Sequence, residues 1–464
     1  MRVLDAEPVP DLEAHVRAGG GEGLETARNL ASPDIIDLVA ASGLRGRGGA
    51  GFPTGTKWET VALYESDEPT TVVVNAAEGE PGSFKDRAIL RANPYRVLEG
   101  ALIAARAVDA TRIVVATKSS FTPEITRLRQ AITEIAGADW APDVEIDVVE
   151  GPSHYLFGEE TALLEVVAGR MPFPRIAPPY RRGDTPGDEL AAPGGGEGPP
   201  ALANNVETLA NIPGILAQGP DWFRELGTDT SPGTTVVTIT GSTRRHGFAE
   251  VPMGTPLADA IDQIGGGARK DRKLVAALSG VANPILPADL FSTPLGFDEL
   301  RAVQSGLGAS GFIVFDDEDD LIAVAHGVTR FLSVESCGQC RPCKQDGLQS
   351  EVLLGLIRRS EATDRELAQL EDRLLTVTDG ARCYLAEQTQ QVAGSILQHC
   401  PDVVRTHVDG SRAAADAYLI APLLDIVDGE ARLDETQWTK QPDWTHDPTD
   451  SGQAPAERYG VSAA

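Results

Sequence analysis

Four of the five cysteines in this 464-residue chain fall into a pattern that commits its C-terminal part to one kind of structure. Cys337, Cys340 and Cys343 stand in the run Glu335-Ser336-Cys337-Gly338-Gln339-Cys340-Arg341-Pro342-Cys343, and Cys383 follows alone. Three thiolates at C-x2-C-x2-C spacing wrap three corners of a cubane, and a distant fourth closes it. A [4Fe–4S] cluster is held in this way, so the chain is expected to move electrons singly. Zinc more often takes two separated Cys pairs, or Cys with His. No His lies close in sequence to any of the four cysteines, which makes zinc the weaker alternative, and free structural thiols explain the spacing least. Cys400, after His399, reads as a leftover thiol rather than a ligand.

The length allows two to four domains with real cores. Hydrophobic residues make up 41% of the chain, ordinary for a soluble globular protein. Few cysteines, mostly committed to one site, fit a reducing compartment rather than a disulfide scaffold. Met1–Pro10 has no charged start followed by an apolar stretch, so no signal peptide is expected. The longest apolar stretch, Val97 to Ala107, is broken by Glu99 and Arg106, so no membrane insertion is expected. The expected location is cytoplasmic, at most peripheral to a membrane complex. A net charge of −29 disfavours nucleic acid and anionic lipid as partners, and otherwise reads as a solvated acidic surface.

Along the chain, residues 1–30 read as a loose, Gly-rich lead-in ending in a short helix. Pro33 to Ser42 reads as a helix with Ser32 as N-cap, ended by Gly43. From 71 to 150, strands at Thr71–Val74, Arg112–Val115 and Val144–Val149 alternate with helices near 93–108 and 123–136. That βαβαβ order implies a largely parallel sheet. Residues 181–200 are Gly/Pro/acid-rich and are expected to form a mobile loop. Short strands around a helix near 256–264 suggest a small α+β module over 234–320. A helical region from 321 to 425 places the cysteines at helix starts and turns. Residues 426–464 are expected to form a disordered tail.

The loop from Gly43 to Lys57 contains a formal G-x-G-x-x-G, Gly46 to Gly51, but follows a helix rather than a strand and so fails as a Rossmann fingerprint. Its glycines can still bring several N–H groups to one anion, with Arg45, Arg47 and Lys57 adding charge. A phosphate-bearing cofactor is favoured over a merely flexible turn. Asn75-Ala76-Ala77-Glu78-Gly79-Glu80-Pro81-Gly82 leaves the first strand where α/β sheets bind ligands. Gly158-Glu159-Glu160-Thr161 opens a helix after Tyr155; its acids can equally be dipole complements. The amides of Asn204-Asn205-Val206-Glu207-Thr208 can bond a polyol or ring edge, or simply cap a helix.

Taken in order, GLRGRGGAGFPTGTKW, NAAEGEPG, GEETALL, NNVETLANIP, ESCGQCRPC and the late Cys383 resemble the flavin- and NADH-binding (NuoF-type) subunit of respiratory complex I. Related subunits of NAD-dependent hydrogenases and formate dehydrogenases share the pattern. The resemblance spans about residues 19–405. It implies a Rossmann-like FMN- and NADH-binding α/β domain over 31–233, a ubiquitin-like SLBB module, and a helical bundle carrying the [4Fe–4S] cluster. It implies Gly46, Arg47, Gly48, Gly49 and Lys57 at the flavin's phosphate end, and Asn75, Glu78, Tyr155, Gly158, Asn204, Asn205 and Thr208 around the flavin. Phe52, Glu80, Glu159 and Glu160 would face the nicotinamide nucleotide, with Glu80 and Glu160 acting by position and charge. Cys337, Cys340, Cys343 and Cys383 would hold the cluster.

This chain departs from the family pattern at Ala77 (usually Asp), Thr60 (usually aromatic), Ala177 (usually Lys), Tyr180 (usually Phe), the 181–200 loop and Tyr384-Leu385-Ala386. A lost aromatic stack forfeits about 1 kcal/mol. A lost cation facing the dinucleotide forfeits roughly 1–3 kcal/mol. Two readings follow. In one, NAD(P)H reduces FMN and electrons leave through the cluster to a partner. In the other, the chain is a relay between FMN, the cluster and a ferredoxin or membrane-bound reductase, without NADH. The resemblance implies a thioredoxin-like [2Fe–2S] subunit as neighbour, since no spare cysteines remain for a second cluster.

Overall fold

A computed structural model describes residues 2–64, 69–176, 178–180, 183 and 199–442. Its first sheet is built from β1 (Thr70–Ala76), β2 (Ala110–Lys118), β3 (Glu145–Gly151) and β4 (Ala201–Asn205), in the order β3-β2-β1-β4. All three pairings are parallel. The apolar runs explain why. Val72, Val74, Ile113 and Val115 point into one core, while their neighbours Val73, Val114 and Ala116 point into another. A strand buried on both faces reads as a continuous hydrophobic run, and helices must cover both sides. One face is covered by α3 (Ser32–Ser42), α4 (Thr54–Ala62), α6 (Pro94–Ala107) and α9 (Val206–Gln218). The other is covered by the turn Tyr155–Gly158 and α8 (Glu160–Val167).

The second sheet is mixed, in the order β6-β5-β9-β7-β8, from β5 (Thr234–Gly241), β6 (Gly247–Pro252), β7 (Leu274–Ser279), β8 (Leu286–Pro287) and β9 (Gly311–Asp316). Alternation again sorts its faces. Ala277, Phe312 and Val314 pack with the module's own Leu257, Ile261 and Leu300. Ala276, Leu278, Ile313 and Phe315 pack against the helical bundle. That bundle consists of α13 (Leu321–Glu335), α14 (Arg341–Arg358), α15 (Asp364–Thr376), α16 (Leu385–His399) and α17 (Pro401–Val408).

The structure corrects four expectations. The lead-in is ordered: α1 (Leu12–Arg17) is capped by Asp11, and α2 (Glu22–Arg28) packs on the first core through Leu24 and Ala27. Glu99, buried on α6, ties it down by accepting from Gly21 and Leu24 N–H and by pairing with His15 Nε2 at 3.1 Å. Ser32 is the first residue of α3, not its cap; Ala31 holds the cap position and Ser32 Oγ donates to Arg106 O. A helix absent from the sequence reading, α5 (Lys85–Ala92), follows the ligand-binding edge of β1. Finally, 426–442 is not a tail. Leu423–Val427 pairs antiparallel with Glu430–Leu433 around Asp428 and Gly429, both at positive φ (53° and 78°), and a turn at Glu435–Trp438 follows. The remainder of that expected tail, 443–464, and nearly all of the 181–200 loop lie outside the described residues. Among the described residues, no helix is long and apolar enough to cross a membrane.

Candidate flavin and iron–sulfur sites

The four cysteines come together. Cys337, Cys340, Cys343 and Cys383 line one pocket with Leu156, Pro174, Ser336, Leu385 and Ala386. Local sequence sets this up. Gly338 turns the chain at φ 75°, Cys340 is the N-cap of α14, and Pro342 pre-sets its first turn, which carries Cys343. Buried Lys344 pins the loop by donating to Ser333 O (2.7 Å) and Ser336 O (2.8 Å). Burial pushes the thiols up, Cys343 to about 11. Deprotonated sulfurs here therefore need a metal centre's positive charge. The sulfurs surround a pocket instead of meeting at a point: among the described residues no three His, Cys, Asp or Glu side chains converge on a single ion. That donor set fits a cluster. Cys400, at the C-terminus of α16, is not among the lining residues.

The second site lies at the carboxyl edge of the parallel sheet. The glycine loop folds back on itself, Gly46 N–H donating to Phe52 O (2.8 Å) and Thr54 N–H to Leu44 O (2.9 Å). A side chain on Gly48 would come 3.2 Å from Asn205 Cβ, and Gly51 sits at φ +64° against Phe297. Arg47 N–H donates to Thr208 Oγ1 (2.9 Å) and its Nη2 to Pro232 O (3.0 Å). Its Nε and Nη1 are buried with no hydrogen-bond partner, so the loop presents two N–H groups that an anion can satisfy. Burial lowers the Arg47 pKa to about 10, leaving it charged at neutral pH. Arg45 is committed to Asp298 and Gly51 O. Lys57 donates to Ala203 O (2.7 Å) and pairs with Glu160. Phe52 is 54% exposed, an aromatic face open to a ligand.

Asn75 Nδ2 donates to Gly158 O (2.8 Å), joining the two segments expected around the ring. Trp58 Nε1 donates to Asn204 Oδ1 (2.8 Å). Asn205 caps α9 by accepting from Glu207 N–H (3.0 Å). Sequence reasoning missed what holds these residues. Lys85 pairs with Asp86 (2.6 Å) and Glu207 (3.1 Å) and donates to Asn205 Oδ1 (3.0 Å). Glu78 accepts from Ser83 Oγ, Asp86 N–H and Arg87 Nε. Burial opposes charge on Glu78, but Arg87 and Lys85 outweigh it and hold its pKa below the usual range. The signal was present: three charges, Lys85-Asp86-Arg87, directly after the Gly/Pro segment.

Glu159 and Glu80 are placed differently from a simple ligand-facing pair. Glu159 caps α8, accepting from Thr161 N–H (3.0 Å) and Ala162 N–H (2.8 Å). Glu80 accepts from Tyr155 Oη (2.5 Å) and Val281 N–H (2.6 Å), and Gln388 on α16 donates to the same Tyr155 hydroxyl (2.8 Å). Burial raises the Glu80 pKa to about 7 from an ordinary 4.5. Below about pH 4.5 the group is protonated whether the chain is folded or not, and its full contribution is present. As pH rises toward and through 7, the unfolded chain ionises more readily, so stability is lost. We expect Glu80→Gln to match the parent's melting temperature near pH 4.5 and exceed it increasingly up to pH 8. A gain that does not change with pH, measured by thermal melts across that range, would contradict this.

Among the altered positions, Thr60 is exposed on α4 with its hydroxyl donating to Thr56 O, and Ala77 is buried. Tyr180 packs edge-on to Tyr64. Tyr384 is 51% exposed, while Leu385 and Ala386 line the cysteine pocket. Ala177 lies outside the described residues.

Comparison with known proteins decides between the metal readings. Residues 39–214 match the family model of the Nuo51 FMN-binding domain, 236–280 that of the SLBB domain, and 323–407 that of the NADH-ubiquinone oxidoreductase-F iron-sulfur binding region. The second NuoF-type subunit of the NADH-quinone oxidoreductases of Rhizobium meliloti (strain 1021) is 34% identical over 420 residues, 87% of this chain and 96% of that protein. The chain belongs to the NuoF-type family of NADH-quinone oxidoreductase subunits. The family extends beyond respiratory enzymes: NADP-reducing hydrogenase subunit HndC of Solidesulfovibrio fructosivorans is 33% identical, covering 89% of this chain and 83% of that one. The crystal structure of an H2-reduced, NAD+-reducing [NiFe]-hydrogenase superposes with a TM-score of 0.74 at 30% identity, over 87% of this chain and 66% of that chain. This chain is thus an NADH dehydrogenase-type oxidoreductase subunit with FMN and a [4Fe–4S] cluster as cofactors, built on a Rossmann-like domain, an SLBB module and a helical cluster domain.

Proposed function

We propose that this subunit takes hydride from NADH at the sheet edge and passes electrons singly through the cysteine pocket to a redox partner protein. The observation that carries this is the shared wall between the two sites. The turn Tyr155–Gly158 accepts from Asn75 through Gly158 O on one side, and its Leu156 lines the cysteine pocket on the other. One helical turn therefore separates the two centres. When bound, FMN supplies the switch between two-electron and one-electron chemistry, and the cluster supplies the one-electron exit.

The chain's own residues bind and orient. Gly46, Arg47, Gly48, Gly49 and Lys57 hold the flavin phosphate, with the unpaired N–H groups of Arg47 as donors. Asn75, Glu78, Tyr155, Gly158, Asn204, Asn205 and Thr208 hold the ring and its chain. Phe52 offers a stacking face to the dinucleotide, beside Glu160. Glu80 and Glu159 act as organisers of the nucleotide side through Tyr155 and α8. Hydride transfer needs no protein proton donor, so the carboxylates work by position and charge. The partner reading is a thioredoxin-like [2Fe–2S] subunit. Exposed Thr60, bonded to its own helix, offers the dinucleotide no ring and is the observation that keeps an NADH-independent relay to a ferredoxin or membrane-bound reductase as the second reading.

Anaerobic mixing with NADH and, separately, NADPH tests the donor. Rapid bleaching of the flavin band by NADH supports the proposal. Flavin that dithionite reduces but neither nucleotide does would establish the relay.

A further inference from the structure

Lys118 ends β2 at the same carboxyl edge where β1 delivers Asn75, because the strand register sets Asn75 opposite Ala116 and Ala76 opposite Thr117. Its side chain is 3% exposed. The ammonium stops against Gly79, where a Cβ would come 2.5 Å from Nζ, in the middle of the 75–80 segment. No hydrogen bond or ion pair to Nζ is made among the described residues; its nearest feature is the Phe121 ring, 5.9 Å from Nζ to centroid.

The charged groups facing it are all engaged elsewhere. Glu78 is taken by Arg87, Ser83 and Asp86. Glu335 is taken by Lys440 (2.5 Å), Gln437 (3.2 Å) and Tyr155 N–H (3.0 Å). Arg87 and Lys440 are cations and repel it. Burial lowers its pKa to about 8, so it still carries its proton at pH 7. A buried, unpaired ammonium is costly unless something absent from the protein repays it.

We propose that Lys118 is a positioning charge of the flavin cleft, a fixed cation beneath Gly79 that stabilises the negative charge gained by the flavin on reduction and so raises its reduction potential. This rests on the flavin lying along the 75–80 segment. The glycine matters to it: any side chain at 79 would displace the ammonium.

The test is a spectroelectrochemical titration of the FMN-loaded chain carrying Lys118→Met, Lys118→Gln or Lys118→Arg. Both neutral variants are expected to bind FMN at the parent stoichiometry. Their two-electron reduction equilibrium should fall about tenfold, a downward shift of about 30 mV. Lys118→Arg should stay at the parent potential. An unchanged potential in the neutral variants would overturn the proposal, as would an equal fall in Lys118→Arg, which would make the effect one of packing. Loss of FMN from both neutral variants would also overturn it, by assigning the charge to holding the oxidised cofactor. A parent chain that binds no FMN would instead sink the flavin assignment itself.

Discussion

Cys383→Ala is expected to lower iron and acid-labile sulfide from about four of each per chain to near zero, while FMN stays bound. Cys383 is forty residues from its nearest partner in sequence, yet it faces the same pocket as Cys337, Cys340 and Cys343. Removing it opens one corner of the cubane and exposes iron to water. Cys400→Ala, outside that pocket, is the control and should leave iron unchanged. The FMN cleft is held by different elements, the glycine loop, β1 and β4, so flavin reduction should survive. The electrons, however, would have no exit to a one-electron acceptor. Iron, zinc and flavin analysis of both variants checks this. Zinc at one atom per chain in the parent would contradict the cluster.

The second large effect is Lys85→Met, expected to destabilise the chain by about 3–5 kcal/mol, the range for breaking a buried ion pair from one side. Lys85 is buried among Asp86, Glu207 and Asn205. Glu207 in turn accepts from Val236 N–H on β5 (2.9 Å), which links the flavin domain to the SLBB module. Burial disfavours its charge, but Asp86 and Glu207 win and raise its pKa. Without the ammonium, two or more carboxylates remain buried and uncompensated, and Asn205 loses a donor. Chemical denaturation should show the loss, with weaker FMN retention. A change below about 1 kcal/mol, the scale of an exposed pair, would contradict a buried network.

What was legible in the sequence was what is local. Three cysteines at fixed spacing and a glycine loop are short patterns whose chemistry does not depend on distant residues. The strands of the first sheet were legible because burial on both faces makes them continuous apolar runs. The α5 helix was not, because Lys85, Asp86 and Arg87 look like a solvated face until Glu78, Asn205 and Glu207 are brought to them. The N-terminal helices were missed for the same reason: the carboxylate that anchors them, Glu99, is seventy-five residues from Leu24. The hairpin at Asp428-Gly429 is a different failure. An Asp-Gly pair between alternating apolar residues signals a two-residue turn, and the acid- and Pro-rich composition around it overrode that signal. Lys118 reads as the ordinary end of a strand, since its isolation is a property of three dimensions.

The central claim is that hydride enters at the sheet edge and electrons leave through the cysteine pocket across one turn of chain. It is tested most directly by adding NADH anaerobically to the FMN- and iron-loaded protein, freezing within the turnover time, and recording the EPR spectrum. The account predicts a reduced [4Fe–4S] signal that appears with flavin bleaching and is absent from Cys383→Ala. Bleached flavin with an EPR-silent cluster that dithionite can still reduce would contradict it.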